Sequence, residues 1–213
     1  MNEINIYKIL SSGSHGNCVM LFDSILVDIG VPYSLIKPYI RQIKMVTWSH
    51  RHSDHLNKVT LKKLLFERPS IRVAVCEHEY NNAVECGAIY IDILEHGKWY
   101  DYTEFKIATF KTYHDVPSNG WRFIKGDYKV FFATDTFTLQ GISAKKYTHY
   151  LIESNYCEET IWQTIQEYES QGKYAYMRGS INSHLSKQQA QDFYLKNKSD
   201  HSQLIILHES RTS

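Results

Sequence analysis

The sequence has no CxxC pair, no apolar run approaching the ~20 residues that span a bilayer, no Pro/Gly/Ser-rich linker, no block of like charge and no internal repeat. Each absence excludes a class of protein. The cysteines Cys18, Cys76, Cys86 and Cys157 are scattered, so they read as reduced thiols, because a chain of 213 residues needs no disulfide framework to hold a core. Without a spanning segment, and with Glu3 and two Asn in the opening MNEINIYKIL where a signal peptide has a basic end and an apolar stretch, a cytoplasmic protein with no membrane partner is expected. Lys and Arg total 24 against 23 Asp and Glu, a formal charge of +1, so contact with nucleic acid must be local, not carried by a basic surface. One domain over residues 1–213 is the simplest organisation.

Short segments rich in β-branched and aromatic residues alternate with helical stretches from end to end. Strands are predicted at 4–9, 18–22, 25–28, 44–48, 71–75, 104–110, 121–125, 128–134, 148–152 and 203–207. Helices fit 33–43, which Pro38 should kink or split, then 59–67, 78–86, 157–171 and 186–197. The last carries a capping-box pattern, Ser186 followed by Gln189. The class is α/β.

What is present in excess is histidine, eleven residues, several beside Asp. MVTWSHRHSDH places His50, His52, Asp54 and His55 directly after a predicted strand. A spacing of two puts His50 and His52 on one side of an extended segment, with Asp54 and His55 one turn further on. HxHxDH arises by chance in roughly one chain in a thousand. A solvated loop with incidental histidines is the plain alternative, but clustered imidazoles repel one another when protonated unless a metal holds them neutral. Nitrogen ligands mixed with carboxylate suit Zn²⁺, and Mn²⁺ where carboxylates dominate.

HxHxDH at the end of an early strand resembles the metallo-β-lactamase superfamily, whose remaining residues follow here in chain order. Asp28 in ILVDIG ends a predicted strand, and His114 in TYHDVPSNGW, Asp135 in VFFATDT and His208 in LIILHES each come after one. Alone, His114 would read as a core or surface histidine, Asp135 as a cap or turn residue, and Asp28 as the end of a strand. SSGSHGNC, HDVPSNGW, ESNYCEE, SHLSKQQA and the terminal HES are similar to the WalJ/YycJ-type exonuclease branch and its shorter phage relatives. The resemblance implies an αββα sandwich of two mixed sheets flanked by helices. It also implies two divalent metal ions: His50, His52 and His114 on one, Asp54, His55 and His208 on the other, Asp135 bridging, and Asp28 behind the ligands. A hydroxide bridging the pair would then attack a phosphodiester.

Glu153 and His184 are similar to the pair in ribonuclease Z in which a carboxylate orients an imidazolium beside the leaving group. The plain alternative is that Glu153 caps a helix and His184 is a loop residue. SSGSHGNC offers Ser12, Ser14, His15 and Asn17 as donors to a substrate phosphate, or is simply a Gly-rich hairpin turn. Lys173, Arg178 and Lys187 lie near His184 in sequence, and Trp121, Tyr174 and Tyr176 could stack on bases, although such residues also make ordinary solvated faces.

The resemblance implies a dinuclear phosphodiesterase, a DNA nuclease of exonuclease type acting on a DNA end or single strand. A cyclic-nucleotide phosphodiesterase of phage anti-defence type is the alternative, followed by a hydrolase of other substrates and by a metal-binding module without turnover. Superfamily relatives often dimerise, and 16 Tyr permit a homodimer interface without locating it.

Overall fold

The computed structural model describes residues 5–175 and 177–208. Among these, twelve strands form two six-stranded sheets. The first holds β1 (Tyr7–Ser11), β2 (Cys18–Leu21), β3 (Ile25–Val27), β4 (Met45–Thr47), β5 (Arg72–Val75) and β6 (Tyr90–Ile93), side by side in chain order. β1 to β3 are antiparallel, and β3 to β6 are parallel. The second holds β7 (Trp99–Tyr102), β8 (Phe105–Tyr113), β9 (Pro117–Lys125), β10 (Tyr128–Ala133), β11 (His149–Glu153) and β12 (Gln203–Leu207). Its hairpins run antiparallel up to β10, after which β10, β11 and β12 are parallel.

The inner faces of the two sheets meet in one apolar layer, with Val19, Leu21, Ile25 and Val27 packed against Ile107, Trp121, Phe123, Phe132 and Leu151. The outer face of the first sheet is covered by α1 (Tyr33–Ile36), α2 (Lys58–Glu67) and α3 (Tyr80–Glu85), through Ile36, Leu61, Leu64 and Ala83 packed on Met20, Leu26 and Val46. That of the second is covered by α6 (Lys187–Asn197), whose Ala190 and Phe193 pack on Phe131, Tyr150 and Ile152. Strands buried on both faces carry near-continuous apolar runs, as parallel strands do. The order helix, sheet, sheet, helix is the αββα sandwich. α4 (Glu158–Ser170) and α5 (Met177–Ser183) share a smaller cluster of Ile161, Ile165, Ala175 and Met177.

Local sequence explains most boundaries. Pro38 ends α1 at Ile36 and turns the chain into a 3₁₀ segment, Lys37–Tyr39, because proline removes a helix donor. Both halves of the capping box form at α6: Gln189 N–H donates to Ser186 Oγ at 3.0 Å, and Ser186 N–H to Gln189 Oε1 at 2.9 Å. Four elements depart from the predicted pattern. β6 and β7 lie at sheet edges, where Tyr90 and Trp99 stay half exposed and the alternation is weak. α5 reads MRGSINS, with Gly179 and two Ser giving little helical signal. The first strand runs from Tyr7 to Ser11, whereas the predicted 4–9 begins at Ile4, outside the described residues. All four cysteines are unpaired. No helix among the described residues is long and apolar enough to cross a membrane.

Candidate metal centre

Parallel strands end on the same side, and the chemistry collects there. β3 and β4 in one sheet, and β8, β10, β11 and β12 in the other, deliver Asp28, His50, His114, Asp135, Glu153 and His208 at or just after their C-terminal ends. Asp28, Asp135 and His208 each break from strand geometry into the left-handed region, with φ of 60°, 49° and 51°. Such a conformation costs on the order of 1–3 kcal/mol in a non-glycine residue and persists where surrounding contacts enforce it.

The side chains form three groups, within each of which the ligand atoms lie within 4.8 Å of one another: His50, His52 and His114; Asp54, His55, Asp135 and His208; and Asp135, Glu153, His184 and His208, the last two sharing Asp135 and His208. Asp135 joins them. Its Oδ2 is 3.7 Å from His50 Nε2, 3.6 Å from His114 Nε2 and 3.2 Å from His55 Nε2, while Oδ1 is 3.7 Å from His208 Nδ1.

Contacts behind the centre set the tautomers. The buried Asp28 carboxylate accepts from Ser49 N–H at 2.8 Å and Ser49 Oγ at 3.0 Å, and lies 2.8 Å from His55 Nδ1. Ser49 Oγ is 3.0 Å from His50 Nδ1, and the Ser183 carbonyl is 3.1 Å from His114 Nδ1. Protons on these Nδ1 atoms turn Nε2 of His50, His55 and His114 toward the centre, as a metal ligand requires; at His55 burial is outweighed by the Asp135 and Asp28 carboxylates, which raise its pKa well above the usual histidine value, so Nε2 would give up its proton to a cation. Burial, aided by neighbouring His55, pushes the His50 imidazole down to about 2, so it is neutral at physiological pH. Burial also lowers His114. For Asp135, burial is outweighed by His55 and His208, which hold the carboxyl well below its usual range. Burial likewise opposes ionisation of Asp54, but His208 and His55 keep it ionised.

The residues fit divalent cations. His50 Nε2 and His52 Nδ1 stand 2.9 Å apart, and the buried atoms Asp135 Oδ1 and His208 Nε2 have no hydrogen-bond partner. A buried polar atom without a partner costs about 1–3 kcal/mol, and a cation would satisfy both. An imidazole-rich set with carboxylates is the donor chemistry of zinc-like ions.

Glu153 and His184 meet beside this centre. The fully buried Glu153 accepts from Thr136 N–H at 2.6 Å and Leu185 N–H at 3.3 Å through Oε1, and its Oε2 is 2.7 Å from His184 Nδ1. Burial works to lower the His184 pKa, but the Glu153 hydrogen bond and charge outweigh it and raise it from the ordinary histidine value. The ring stacks on His208 with centroids 5.1 Å apart.

SSGSHGNC is a brace. Asn17 is buried, donating from N–H to the Asp54 carbonyl at 2.7 Å and placing Nδ2 3.1 Å from His55 Nε2 and 3.4 Å from Asp54 Oδ2. Its amide therefore points at the HRHSDH loop, not outward toward a phosphate. Ser12 Oγ accepts from His208 N–H at 2.7 Å, and Ser12, Ser14 and His15 are exposed. The loops can touch because Gly16 and Gly30 lack side chains: a Cβ on Gly30 would lie 1.7 Å from the Asp54 carbonyl oxygen.

Trp121 cannot stack on a base, because it is fully buried between the sheets. Arg178 is engaged by Glu169 at 2.7 and 3.1 Å. Tyr174 is exposed, and Tyr176, with Glu209 and Ser210 of HES, lies outside the described residues. Sequence reasoning missed Asp115, whose Oδ1 is 3.1 Å from His114 Nε2 and 3.5 Å from His52 Nε2. It also missed Ser49, and Asn155, whose Nδ2 is 3.3 Å from His208 Nδ1. Adjacency to His114 and His50 was the available signal for Asp115 and Ser49.

Residues 15–148 match the family model described as a β-lactamase superfamily domain. A search of curated proteins finds no significant match. Among solved structures, the chain is similar to the metallo-β-lactamase fold protein YhfI from Bacillus subtilis (TM-score 0.75, 14% identity, covering 97% of this chain and 87% of that one). It is also similar to the short form of human tRNase Z (0.67, 13%, 96% and 93%) and to a diphosphatase from the PhnP family (0.59, 14%, 96% and 86%). At these identities the likeness is one of fold.

Proposed function

The chain belongs to the β-lactamase superfamily and has the metallo-β-lactamase fold, whose members are metal-dependent hydrolases, and from that premise we propose that it is a dinuclear phosphodiesterase acting as a DNA nuclease of exonuclease type. The observation that carries this reading is the Glu153–His184 pair, 2.7 Å apart and stacked against His208. A hydrolase whose leaving group is a stable anion has little use for a held imidazolium there, whereas expulsion of a sugar alkoxide needs a proton. The names of two fold relatives, tRNase Z and a PhnP-family diphosphatase, point to phosphate ester chemistry as well.

His50, His52 and His114 would hold one cation and Asp54, His55 and His208 the other, with Asp135 between them; Zn²⁺ suits the set best and Mn²⁺ next. When bound, such a pair supplies Lewis-acid stabilisation of a phosphoryl group and activation of water. Glu153 fixes the His184 ring through Nδ1, so that Nε2 is the end left to give a proton to the departing oxygen. Asp28 and Ser49 keep His50 and His55 in the tautomers that face inward. Asn17 and Ser12 pin the loops bearing Asp54 and His208.

The test is incubation of protein reconstituted with Zn²⁺ or Mn²⁺ with end-labelled linear DNA, single- and double-stranded, with and without chelator. Chelator-sensitive shortening from an end is expected. No cleavage with either ion overturns the reading, and turnover of cyclic mononucleotides alone replaces it with the cyclic-nucleotide alternative.

A further inference from the structure

Beside the centre, on the His114 side, a cleft of about 400 Å³ runs from His114 past Tyr113, Phe137 and Lys111 to His96 and His78. No expectation from the sequence involved these residues except His114. Tyr113 and Phe137 are 41% and 44% exposed, although burying each in water-excluded contact would be favourable. They are not loosely placed. Tyr113 directly precedes His114, Phe137 follows Asp135 by two residues, and Phe137 N–H donates to the Tyr113 carbonyl at 3.0 Å. Their rings meet edge to face with centroids 5.7 Å apart, and Lys111 Nζ lies 5.4 Å from the centre of the Tyr113 ring.

We propose that this cleft is the subsite for the nucleoside of the substrate, with Tyr113 and Phe137 receiving the base and Lys111 an adjacent phosphate, while the scissile phosphate sits beyond His114. The inference rests on the phosphodiesterase reading and adds its substrate class. Aromatic faces beside one cation are the sequence-tolerant way of gripping a nucleotide, because every base has a π-face. The volume matches sites for small ligands and holds one nucleoside unit, not a duplex. His78 and His96 close the far end. Burial lowers both, with Arg51 adding to the effect at His78 and with His78 and Lys111 adding to it at His96. Neutral imidazoles of this kind can both donate to and accept from a base edge. The overall charge of +1 is consistent with a grip built from stacking more than from phosphate contacts.

The probes are adenosine 5′-monophosphate and ribose 5-phosphate, which share the phosphate and differ by the base, titrated calorimetrically into the metal-reconstituted full chain and a Tyr113→Ala/Phe137→Ala double variant. Since stacking on one base is worth roughly five- to 150-fold in affinity, the parent should prefer the nucleotide by a factor in that range, and the double variant should lose the preference. Phe137→Leu, which keeps apolar area but not the aromatic face, should lose part of it. Equal binding of the two probes by the parent, or a preference that survives in the double variant, overturns the proposal. A strand end and a free nucleotide present the same unit. A tetranucleotide binding more tightly than the monophosphate identifies a strand, and equal binding a free nucleotide; with either, the preference must vanish in the double variant. Hydrolysis is read separately with bis(p-nitrophenyl) phosphate. No turnover alongside an intact base preference refutes the hydrolase reading and leaves the subsite, and turnover without a base preference does the reverse.

Discussion

Replacing Asp28 by Asn should weaken metal binding while largely sparing the fold, and the contrast with Asp28→Ala makes the argument quantitative. The Asp28 carboxylate is fully buried and serves two donors of Ser49 and the Nδ1 of His55, all at 2.8–3.0 Å. Alanine strands the N–H and Oγ–H donors of Ser49 and leaves His55 Nδ1 only Ser49 Oγ at 3.0 Å, so at about 1–3 kcal/mol for each of two stranded donors it should lower the stability of metal-free protein by about 2–6 kcal/mol. Asparagine can still accept from Ser49 through Oδ1, but it then turns an NH₂ toward His55 Nδ1. His55 must accept there, its proton moves to Nε2, and that nitrogen can no longer offer a lone pair beside Asp54 and Asp135. Loss of such a partner behind a ligand typically reduces metal affinity 10–100-fold, about 1.4–2.7 kcal/mol. Competition with a chromophoric chelator measures the affinity, and urea unfolding of the metal-free variants measures the fold. Asp28→Asn binding both equivalents as tightly as the parent would refute the tautomer argument.

Removing the proton donor with His184→Ala should reduce kcat on DNA by about 10²–10⁴ and reduce it far less on a p-nitrophenyl ester, whose leaving group departs without a proton; equal losses on both substrates would sink the acid role of His184. Gly30→Ala should fail to bind metal and unfold at lower urea, because its Cβ would lie 1.7 Å from the Asp54 carbonyl oxygen; parent-like metal content and midpoint would contradict this. His149, nearly buried between Tyr7 and Tyr128, is lowered by burial. The unfolded chain therefore takes up its proton first, and this part of the stability is intact above about pH 6.5 and lost as pH falls through that value toward the folded pKa. His149→Gln should narrow the stability difference of metal-free protein between pH 7.5 and pH 5 seen by urea unfolding, and an undiminished difference would count against the assignment.

Much of this protein is legible along the chain, because what is local leaves a local mark. HxHxDH after β4, Asp28 after β3, the proline that breaks α1 and the Ser186–Gln189 box that opens α6 all depend on neighbours within a turn or a strand. The ladder of apolar strands alternating with helical stretches marks the α/β class for the same reason, while the sandwich was implied by the family resemblance. Other features have no local mark. Glu153 and His184 are 31 residues apart, and only the parallel pairing of β11 with β10 and the placement of the segment before α6 put the carboxylate 2.7 Å from the imidazole. Whether Asn17 faces a substrate or the Asp54 loop depends on how closely the backbones at Gly16 and Gly30 can approach. Tyr113 precedes His114 by one residue and Trp121 follows it by seven, yet Trp121 sits in the layer between the sheets and Tyr113 lines an open cleft. Composition and spacing specify which chemical groups the chain carries and where each strand delivers them. Which groups meet, and which face water, is decided by the distance between two packed sheets and the direction of each side chain, quantities that exist only once the sheets have closed on each other.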